Sequence, residues 1–419
     1  MLNFISKTRS YSFVLVDQAI VSSCNFIVTI IILRFLGIEI FGLFSFLWLF
    51  LLLMNGIQIS YIISPMVTNA PKQNTSNINF FYGGVFNQQL IFTIIMFFIT
   101  YFVLKFFGDY IISYQIEKYY LSYSLLIVVT QLHQFLRRLL FSKKLYFRGT
   151  LCDFITYFSL ISFMIYLKYV NGLTLETVVW SFVFAFTVGI TINLPIIFSL
   201  NYKLTNTYEA IRENWLIAKW MLLTSILQWF AGSLWVVNAG LILGPYMLGV
   251  IRACQIGLSI SNIIFQAIEN IIPRKTSKKF ISGGVKEMQL YLKKFTQKGF
   301  IIITLITLLI IIFAKFLLNF FYGVETSNYY QILIFISVII PINFLQCAPT
   351  YGLRTLSKTK PIFMSFLFSS VFALLTSKLI ITHFGIEGFI FGLYVTQIII
   401  TCILHIGYSR NLKTETNQS

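Results

Sequence analysis

A chain of 419 residues with 58% apolar and only 11% charged residues cannot cover itself with a water-exposed surface, since ordinary soluble domains carry about a quarter charged residues. Its 45 Phe, 23 Tyr and 6 Trp residues also exclude a disordered or fibrous chain, because such chains have low hydrophobicity. The composition predicts an all-α, polytopic membrane protein, and the formal net charge of +18 has to be explained within that class.

Twelve apolar segments follow one another along the chain, each near the length of about 20 residues that a helix needs to cross a bilayer. The first follows the sequence MLNFISKTRS. It is too long for a signal-peptide core and no small-residue cleavage site follows it, so it is expected to remain in the mature protein. The segments lie at roughly 12–33, 41–63, 80–103, 118–136, 150–168, 176–200, 215–238, 245–268, 299–320, 329–350, 361–382 and 388–408.

The placement of Lys and Arg predicts that both termini are cytoplasmic, because basic loops are retained on that side of the membrane. The net charge is therefore a topology signal. Nucleic-acid binding would need a basic domain in solvent, and no loop is long enough to form one. In this orientation only seven of the 31 basic residues lie on the outer side: Arg34, Lys105, Lys118, Lys168, Arg252, Lys315 and Lys378.

The sequence contains neither GxxxxGK[ST] nor GxGxxG, so no recognisable loop binds ATP or a dinucleotide. Its five cysteines form no CxxC pair, and its three histidines are scattered without metal-ligand spacing. We therefore expect no cofactor and no metal. If the protein moves a cargo, the energy comes from an ion gradient, of protons or sodium, or from the cargo itself.

Two parts of the chain resemble each other. Residues 36–42 and 243–249 both read LGxxxxG, and a proline follows the next helix in each case, at Pro65 and Pro273. Further along, residues 138–147 (RLLFSKKLYF) match residues 354–363 (RTLSKTKPIF) with small gaps. These matches predict two six-helix lobes, 1–205 and 206–419, that form parallel repeats. Such transporters hold their cargo between the halves and alternate access by rocking.

The eighth segment carries a polar track, and the first segment carries a shorter one. The spacings place each track on one helical face, which is typical either of an interhelical hydrogen-bond seam or of a wet cavity. Asn55 corresponds to Asn262 in the repeat alignment. The tracks comprise Arg252, Gln255, Ser259, Asn262, Gln266 and Glu269 in the eighth segment, and Asp17, Gln18, Ser22, Asn25, Thr29 and Arg34 in the first.

Several charged positions allow two interpretations. Asp17 is either a favourable charge at a helix N-terminus or a titrating or cation-binding carboxylate. Lys219 lies about one turn inside the seventh segment, where it either snorkels to the interface or faces the cavity. The basic residues at 137–148 are positive-inside determinants or contacts for an anionic headgroup, and Asp153 is a candidate partner for one of them. The apolar stripe of segment 285–298 predicts a helix on the cytoplasmic leaflet or an ordinary amphipathic connector.

The N-terminal pattern carries a family resemblance. Asp17, Ser22, Asn25 and Phe26, then Arg34-Phe35-Leu36-Gly37 and Phe41-Gly42, resemble the start of polysaccharide-biosynthesis membrane proteins. These are the O-antigen (Wzx-type) flippases of the multidrug/oligosaccharidyl-lipid/polysaccharide (MOP) superfamily, whose fold is MATE-like. The six-plus-six layout, the short loops and the basic cytoplasmic face agree with that resemblance along the whole chain.

The resemblance implies a multi-pass flippase of the bacterial inner membrane that acts in lipopolysaccharide biosynthesis. Its cargo would be an undecaprenyl-pyrophosphate-linked oligosaccharide, translocated from the cytoplasmic to the periplasmic leaflet, and its partners would be membrane lipids and the polysaccharide polymerase and chain-length proteins. Only Asp17, Asn25 and Arg34 belong to the matching motif. On this interpretation Arg34, Lys219 and Arg252 contact the pyrophosphate, Asn25, Asn55, Gln255, Ser259 and Asn262 bind sugar hydroxyls, and Asp17 and Glu269 titrate or bind a coupling cation.

Two other functions are considered. A cation-coupled multidrug exporter of the same superfamily would share the fold, but three basic candidates against two carboxylates favour an anionic cargo. A sugar polymerase or ligase would carry a long periplasmic loop with catalytic Arg or His, and every outer connection here is short. We therefore predict a transporter rather than an enzyme.

Overall fold

The computed structural model describes residues 2–73, 78–111 and 116–416, and within those ranges the protein is helical and has no strands. The predicted all-α class is thus confirmed. The α-helices in these ranges are α1 (Leu2–Leu36), α2 (Ile38–Gln58), α3 (Ser64–Asn69), α4 (Ile78–Ile111), α5 (Tyr120–Ser142), α6 (Tyr146–Tyr169), α7 (Leu175–Ile192), α8 (Leu194–Phe198), α9 (Leu204–Gly257), α10 (Ser259–Ile312), α11 (Ala314–Tyr322), α12 (Val324–Ser327), α13 (Tyr330–Ser337), α14 (Ile339–Leu345), α15 (Cys347–Thr355) and α16 (Lys360–Thr416). A π-helical turn, Ile59–Ile63, joins α2 to α3, and short 3₁₀ turns lie at Ala70–Lys72 and Ile116–Tyr119.

Nine helical stretches in the described ranges are long and apolar enough to cross a membrane. The count of twelve remains a prediction. Three of the long helices are interrupted by glycines with non-helical backbone angles: α9 at Gly244, α10 at Gly283 and Gly284, and α16 at Gly385. Helix α5, which covers the predicted segment 118–136, is not among the nine, because polar residues such as Gln131, His133 and Arg137 lower its hydropathy. The nine are Val16–Leu36, Ile38–Lys72, Ile78–Phe106, Tyr146–Tyr169, Leu175–Ile192, Asn206–Gly257, Ile264–Ile312, Tyr330–Thr355 and Lys360–Glu415.

The chain divides into two compact units. The first consists of Met1–Gly37 and Leu47–Ile226, and the second of Ile38–Phe46 and Leu227–Ser419. In the first unit α1 packs on α6, α4 on α5, and α7 on both α5 and α6. In the second unit α10 packs on α14 and α15, and α16 packs on the same two helices.

The two LGxxxxG motifs have the same backbone conformation at their first glycine. Gly37 has φ 85° and ψ 170°, and Gly244 has φ 91° and ψ 168°. This region strongly disfavours residues with a β-carbon, so glycine ends one helix and starts the next in both places. The shared conformation is what an internal repeat of this motif would produce.

A second pair of turns also matches. Lys144, after α5, has φ 61°, and Ser357, after α15, has φ 57°. In both turns the next backbone N–H reaches back across the helix end, from Leu145 to the carbonyl of Leu140 and from Lys358 to that of Leu353, each at 2.9 Å. This is a Schellman C-cap, and it lies inside the sequence match at 138–147 and 354–363.

Segment 285–298 forms part of α10, and its apolar stripe is buried by protein. Val285, Met288 and Leu292 belong to a core cluster with Tyr351 and Leu412. The prediction of a helix lying on the leaflet is therefore wrong, because the amphipathic pattern fixes which face is apolar and leaves open whether lipid or protein covers it.

Candidate functional site

A buried ion network joins three helices of the first unit. Arg137 on α5 lies between Asp17 on α1 and Asp153 on α6, and all three side chains are buried. Its Nη2 donates a hydrogen bond to Asp17, and its Nε lies 2.6 Å from Asp153 Oδ2. The expected pairing of Asp153 with a base near 137–148 is thus observed. Asp17 lies inside α1 and not at its N-terminus, so the interpretation as a helix-terminal charge is wrong and Asp17 is a partner of this cation.

The network carries more negative than positive charge in its buried part. Two carboxylates share the single buried guanidinium, while the side chain of the neighbouring Arg138 is exposed. His133 Nε2 lies 3.5 Å from Asp153 Oδ1. Charges in a low-dielectric interior are costly unless they are balanced, so the second carboxylate favours the uptake of a proton or a cation.

His133, Cys152 and Asp153 place one nitrogen, one sulfur and one oxygen atom within 4.8 Å of one another. These are ligand types that a metal ion such as zinc accepts. However, the guanidinium of Arg137 already contacts Asp153 at 2.6 Å, and its positive charge opposes a dication at the same carboxylate. Cys152 in turn accepts a hydrogen bond from Asn193 Nδ2 at 3.1 Å. We therefore interpret the cluster as a hydrogen-bonded ion network.

The rest of the polar face of α1 is divided between contacts and exposure. Asn25 is half-buried, its carbonyl accepts a hydrogen bond from Thr29 Oγ1 at 2.9 Å, and its side chain hydrogen-bonds with Tyr157. Arg34 is exposed at the other end of the helix. The predicted candidates of α1 therefore do not converge on one point.

The second unit contains a cavity of about 520 Å³. Its lining combines amide and hydroxyl side chains with apolar ones, and none of the described residues that line it carries a formal charge. Gln346 Nε2 donates to Gln397 Oε1 at 3.0 Å, and Asn343 Oδ1 is buried without a described hydrogen-bond partner. The polar lining residues are Gln228, Gln255, Ser261, Asn343, Gln346 and Gln397.

Of the predicted sugar and phosphate contacts, Gln255 lines this cavity, and Arg252 forms a hydrogen bond with Gln255. Arg252 Nη1 donates to Gln255 Oε1 at 2.8 Å, while its Nε is buried without a described acceptor. The arrangement holds a guanidinium one hydrogen bond away from the cavity wall.

Glu269, another candidate of the eighth segment, does not line the cavity. The helix is interrupted at Leu258, between the end of α9 at Gly257 and the start of α10 at Ser259. The predicted polar face requires one continuous helix through residues 252–269. Glu269 is exposed and pairs with Arg354, with 2.5 Å between Oε1 and Nη1. The side chains of Ser259 and Asn262 lie outside the part of the chain that the structure describes.

Asn55 and Lys219 belong to the first unit, where they differ in exposure. Asn55 is half-buried, and its Oδ1 is buried with no hydrogen-bond partner among the described residues. Lys219 is exposed. An orphaned buried oxygen is unusual in a folded protein, so Asn55 retains an unfilled acceptor.

Several polar residues of the buried ion network and of the cavity were not predicted from the sequence. His133 and Cys152 were interpreted as isolated, because they lie on different helices and no local spacing connects them. Asn343, Gln346 and Gln397 are single amides within apolar runs, on α14, on the break between α14 and α15, and on α16. An intramembrane amide in a run of Ile and Leu is itself a signal, and it could have identified these three positions.

Solved structures with the same fold cover nearly the whole chain. An inward-facing multidrug-resistance MATE family transporter of the MOP superfamily matches with a TM-score of 0.78 at 12% sequence identity, over 97% of this chain and 99% of that one. The lipid II flippase MurJ, in an inward closed conformation, matches with a TM-score of 0.72 at 13% identity, over 94% and 86%. A mutant of the Vibrio cholerae MATE transporter VcmN matches with a TM-score of 0.68 at 15% identity, over 97% and 96%.

No protein-family model and no curated protein sequence matches the chain. The solved structures share its fold at low identity. The chain is therefore a multi-pass membrane protein with the fold of MOP superfamily transporters.

Proposed function

We propose that the protein is a flippase that moves an undecaprenyl-pyrophosphate-linked oligosaccharide, an O-antigen repeat unit, from the cytoplasmic to the periplasmic leaflet of a bacterial inner membrane. The observation that carries this proposal is the amide-rich cavity of the second unit, whose described lining residues are uncharged, with Arg252 hydrogen-bonded to Gln255 of that lining. In this proposal the halves 1–205 and 206–419 alternate access by rocking. The polysaccharide polymerase and chain-length proteins would receive the product.

The chemistry of the lining suits a glycan. Each Gln or Asn side chain offers two N–H donors and a carbonyl acceptor, and sugar hydroxyls need both kinds of partner. Phe265 and Phe366 add apolar surface for the C–H faces of the rings. Arg252 supplies the cation for a phosphate oxygen, and Nε still lacks a described acceptor. Arg34 and Lys219 retain their proposed role as pyrophosphate contacts in another state of the transport cycle.

Coupling to a cation gradient is assigned to Asp17. Two buried carboxylates around one buried guanidinium leave one negative charge that a proton or sodium ion would balance. Glu269 already has the cation of Arg354 beside it at the surface. Its proposed coupling role is therefore the weaker of the two.

A cation-coupled multidrug exporter is the alternative function. The buried pair Asp17 and Asp153 and the likeness to MATE family folds favour it. An organic cation, however, would need a carboxylate in its binding cavity, and there is none among the described residues that line the cavity of the second unit. The proposed cargo class is therefore the lipid-linked glycan.

The experiment is transport by the purified protein in liposomes. Lipid-linked oligosaccharide is placed in one leaflet, its appearance in the other is measured by lectin or enzyme access, and a cationic dye is tested in parallel. We expect glycan translocation that Gln255→Leu lowers about tenfold, since a lost hydrogen bond in a buried site costs about 1–2 kcal/mol.

The matched control is Gln266→Leu, which changes an exposed glutamine of the same polar track outside the cavity lining. It should leave translocation unchanged. Dye transport without glycan transport would assign the protein to the exporters instead.

A further inference from the structure

A second cavity, of about 610 Å³, lies at one end of the second unit. The turn at 357–359 and the first residues of α16 form one wall, and a later stretch of α16, residues 403–411, forms the other. The two stretches approach closely at Gly407, where a β-carbon would overlap the side chain of Pro361. We call this cavity the α16 groove.

Three cations border the α16 groove. Lys358, Lys360 and Arg410 line it and are exposed. Lys358 Nζ lies 3.6 Å from Glu415 Oε1, which offsets part of its charge. In the described ranges no acidic side chain pairs with Lys360 or Arg410. Lys360 and Arg410 thus have no counter-ion among the described residues.

Two backbone hydrogen bonds close the turn that carries Lys358 and directly precedes Lys360. Ser357 adopts φ 57°, its N–H donates to the carbonyl of Arg354 at 3.1 Å, and Lys358 N–H donates to Leu353 at 2.9 Å. Lys358 therefore lies on a closed turn, and Lys360 is the first residue of α16. Such preorganisation lowers the entropy cost of binding.

The rest of the lining consists of Gly407, three uncharged polar residues (Ser357, Thr359 and Asn411) and an apolar wall that faces away from the core of the unit. Ile362 and Phe366 point to the buried cluster of Leu353, Ile400 and Leu404. The groove is lined instead by other residues of the same stretches, and Ile406 is 54% exposed. An exposed apolar wall at the end of a membrane helix suits an acyl chain. The apolar lining residues are Pro361, Met364, Ile403 and Ile406.

We propose that the α16 groove binds an anionic phospholipid of the surrounding leaflet. The phosphate lies between Lys360 and Arg410, and an acyl chain follows the wall of Pro361, Met364 and Ile406. Basic pockets between membrane helices hold anionic headgroups by this combination of charge and apolar contact. The predicted cytoplasmic position of this end of the chain places the groove in the leaflet where such cations are enriched.

The test is lipid retention by the full-length protein, measured by native mass spectrometry after release from nanodiscs that contain phosphatidylglycerol and phosphatidylcholine. We expect the wild type to retain phosphatidylglycerol in preference. In K360Q/R410Q its affinity should fall about 25-fold, because each surface cation contributes roughly a factor of five to attraction of an anionic lipid. Thermal stabilisation by added phosphatidylglycerol should be lost in parallel.

The control is K275Q/K278Q, which removes two exposed cations of the same unit outside the groove. It should retain phosphatidylglycerol as the wild type does. Equal loss in both variants, or equal retention of phosphatidylcholine and phosphatidylglycerol, would overturn the proposal.

A competition arm separates the phospholipid from the transported cargo. Undecaprenyl pyrophosphate should leave the phosphatidylglycerol signal unchanged at equal concentration. Preferential displacement would assign the groove to the cargo and overturn the proposal. Retention is measured without transport, so the result is independent of the proposed flippase activity.

Discussion

Gly42 and Gly249 occupy equivalent positions in a reciprocal contact inside the second unit. A β-carbon on Gly42 would overlap the backbone carbonyl of Pro245, and one on Gly249 would overlap that of Ile38. Ile38 and Pro245 each directly follow the first glycine of their LGxxxxG motif. Residues 38–42 and 245–249 of the two motifs thus pack against each other backbone to backbone.

Alanine at either glycine should destabilise the protein, since the obstacle is backbone that cannot rotate away. We expect Gly42→Ala and Gly249→Ala each to lower the free energy of unfolding by about 1–3 kcal/mol, measured as thermal unfolding in detergent. Gly232→Ala is the control, because a β-carbon there would meet no atom within 4 Å. An equal effect at all three positions would contradict the reciprocal contact.

Removal of Arg137 should destabilise far more than removal of an exposed arginine. Arg137→Gln leaves Asp17 and Asp153 buried without their cation, and we expect a loss of about 3–5 kcal/mol in unfolding free energy. Arg354→Gln breaks the half-exposed pair with Glu269 and should cost at most about 1 kcal/mol.

The same network allows a rescue experiment. Asp17→Asn introduced into the Arg137→Gln protein removes one of the two orphaned charges and should recover part of the lost stability. If the double variant is less stable than Arg137→Gln alone, the charges are not what the arginine stabilises.

Asp17→Asn should uncouple transport from the cation gradient. The substitution keeps the shape of the side chain but removes its charge and its ability to take up a proton or cation. We expect accumulation driven by an imposed pH or sodium gradient to be lost, while exchange of cargo between leaflets without a gradient continues. Gradient-dependent accumulation at the wild-type level would remove Asp17 from the coupling site.

Arg252→Gln should weaken the binding of a phosphate-bearing cargo. A charge-assisted hydrogen bond contributes about 1.5–3 kcal/mol, so we expect translocation at low cargo concentration to fall about 10- to 100-fold. Membrane insertion should be unaffected, which is measured by the yield of monodisperse protein. Lys278→Gln, on an exposed residue of the second unit that does not line the cavity, provides the comparison for loss of charge alone.

The sequence predicted the helical class, the paired glycine motifs and a partner for Asp153, because each depends on local pattern or on the cost of a buried charge. It could not place His133 beside Asp153, since that contact depends on how α5 packs on α6. Glu269, at the end of the polar track of the eighth segment, does not line the cavity, because Leu258 interrupts the helix after Gln255 and changes the angular relation of the residues that follow. Periodicity predicts a face only within one continuous helix.

For residues 285–298 the sequence predicted the apolar face but not what covers it. The apolar stripe was identified correctly, but Met288 and Leu292 are covered by protein. In a membrane protein lipid and protein are equally apolar neighbours, so composition alone does not distinguish them.

The described residues that line the cavity carry no formal charge, which has a consequence for the way in which a carrier with the proposed function would diversify. A carboxamide can exchange its donor and acceptor ends by turning about one bond, so Gln255, Gln346 and Gln397 can present different hydrogen-bond patterns without any substitution. Glycans that differ in the orientation of a hydroxyl would then be accommodated by rotation of side chains, at little energetic difference between one sugar and the next. In the proposed function, the enzymes that build and join the repeat units would then discriminate among them. The carrier would translocate a repeat unit with a new sugar without any change in its own sequence.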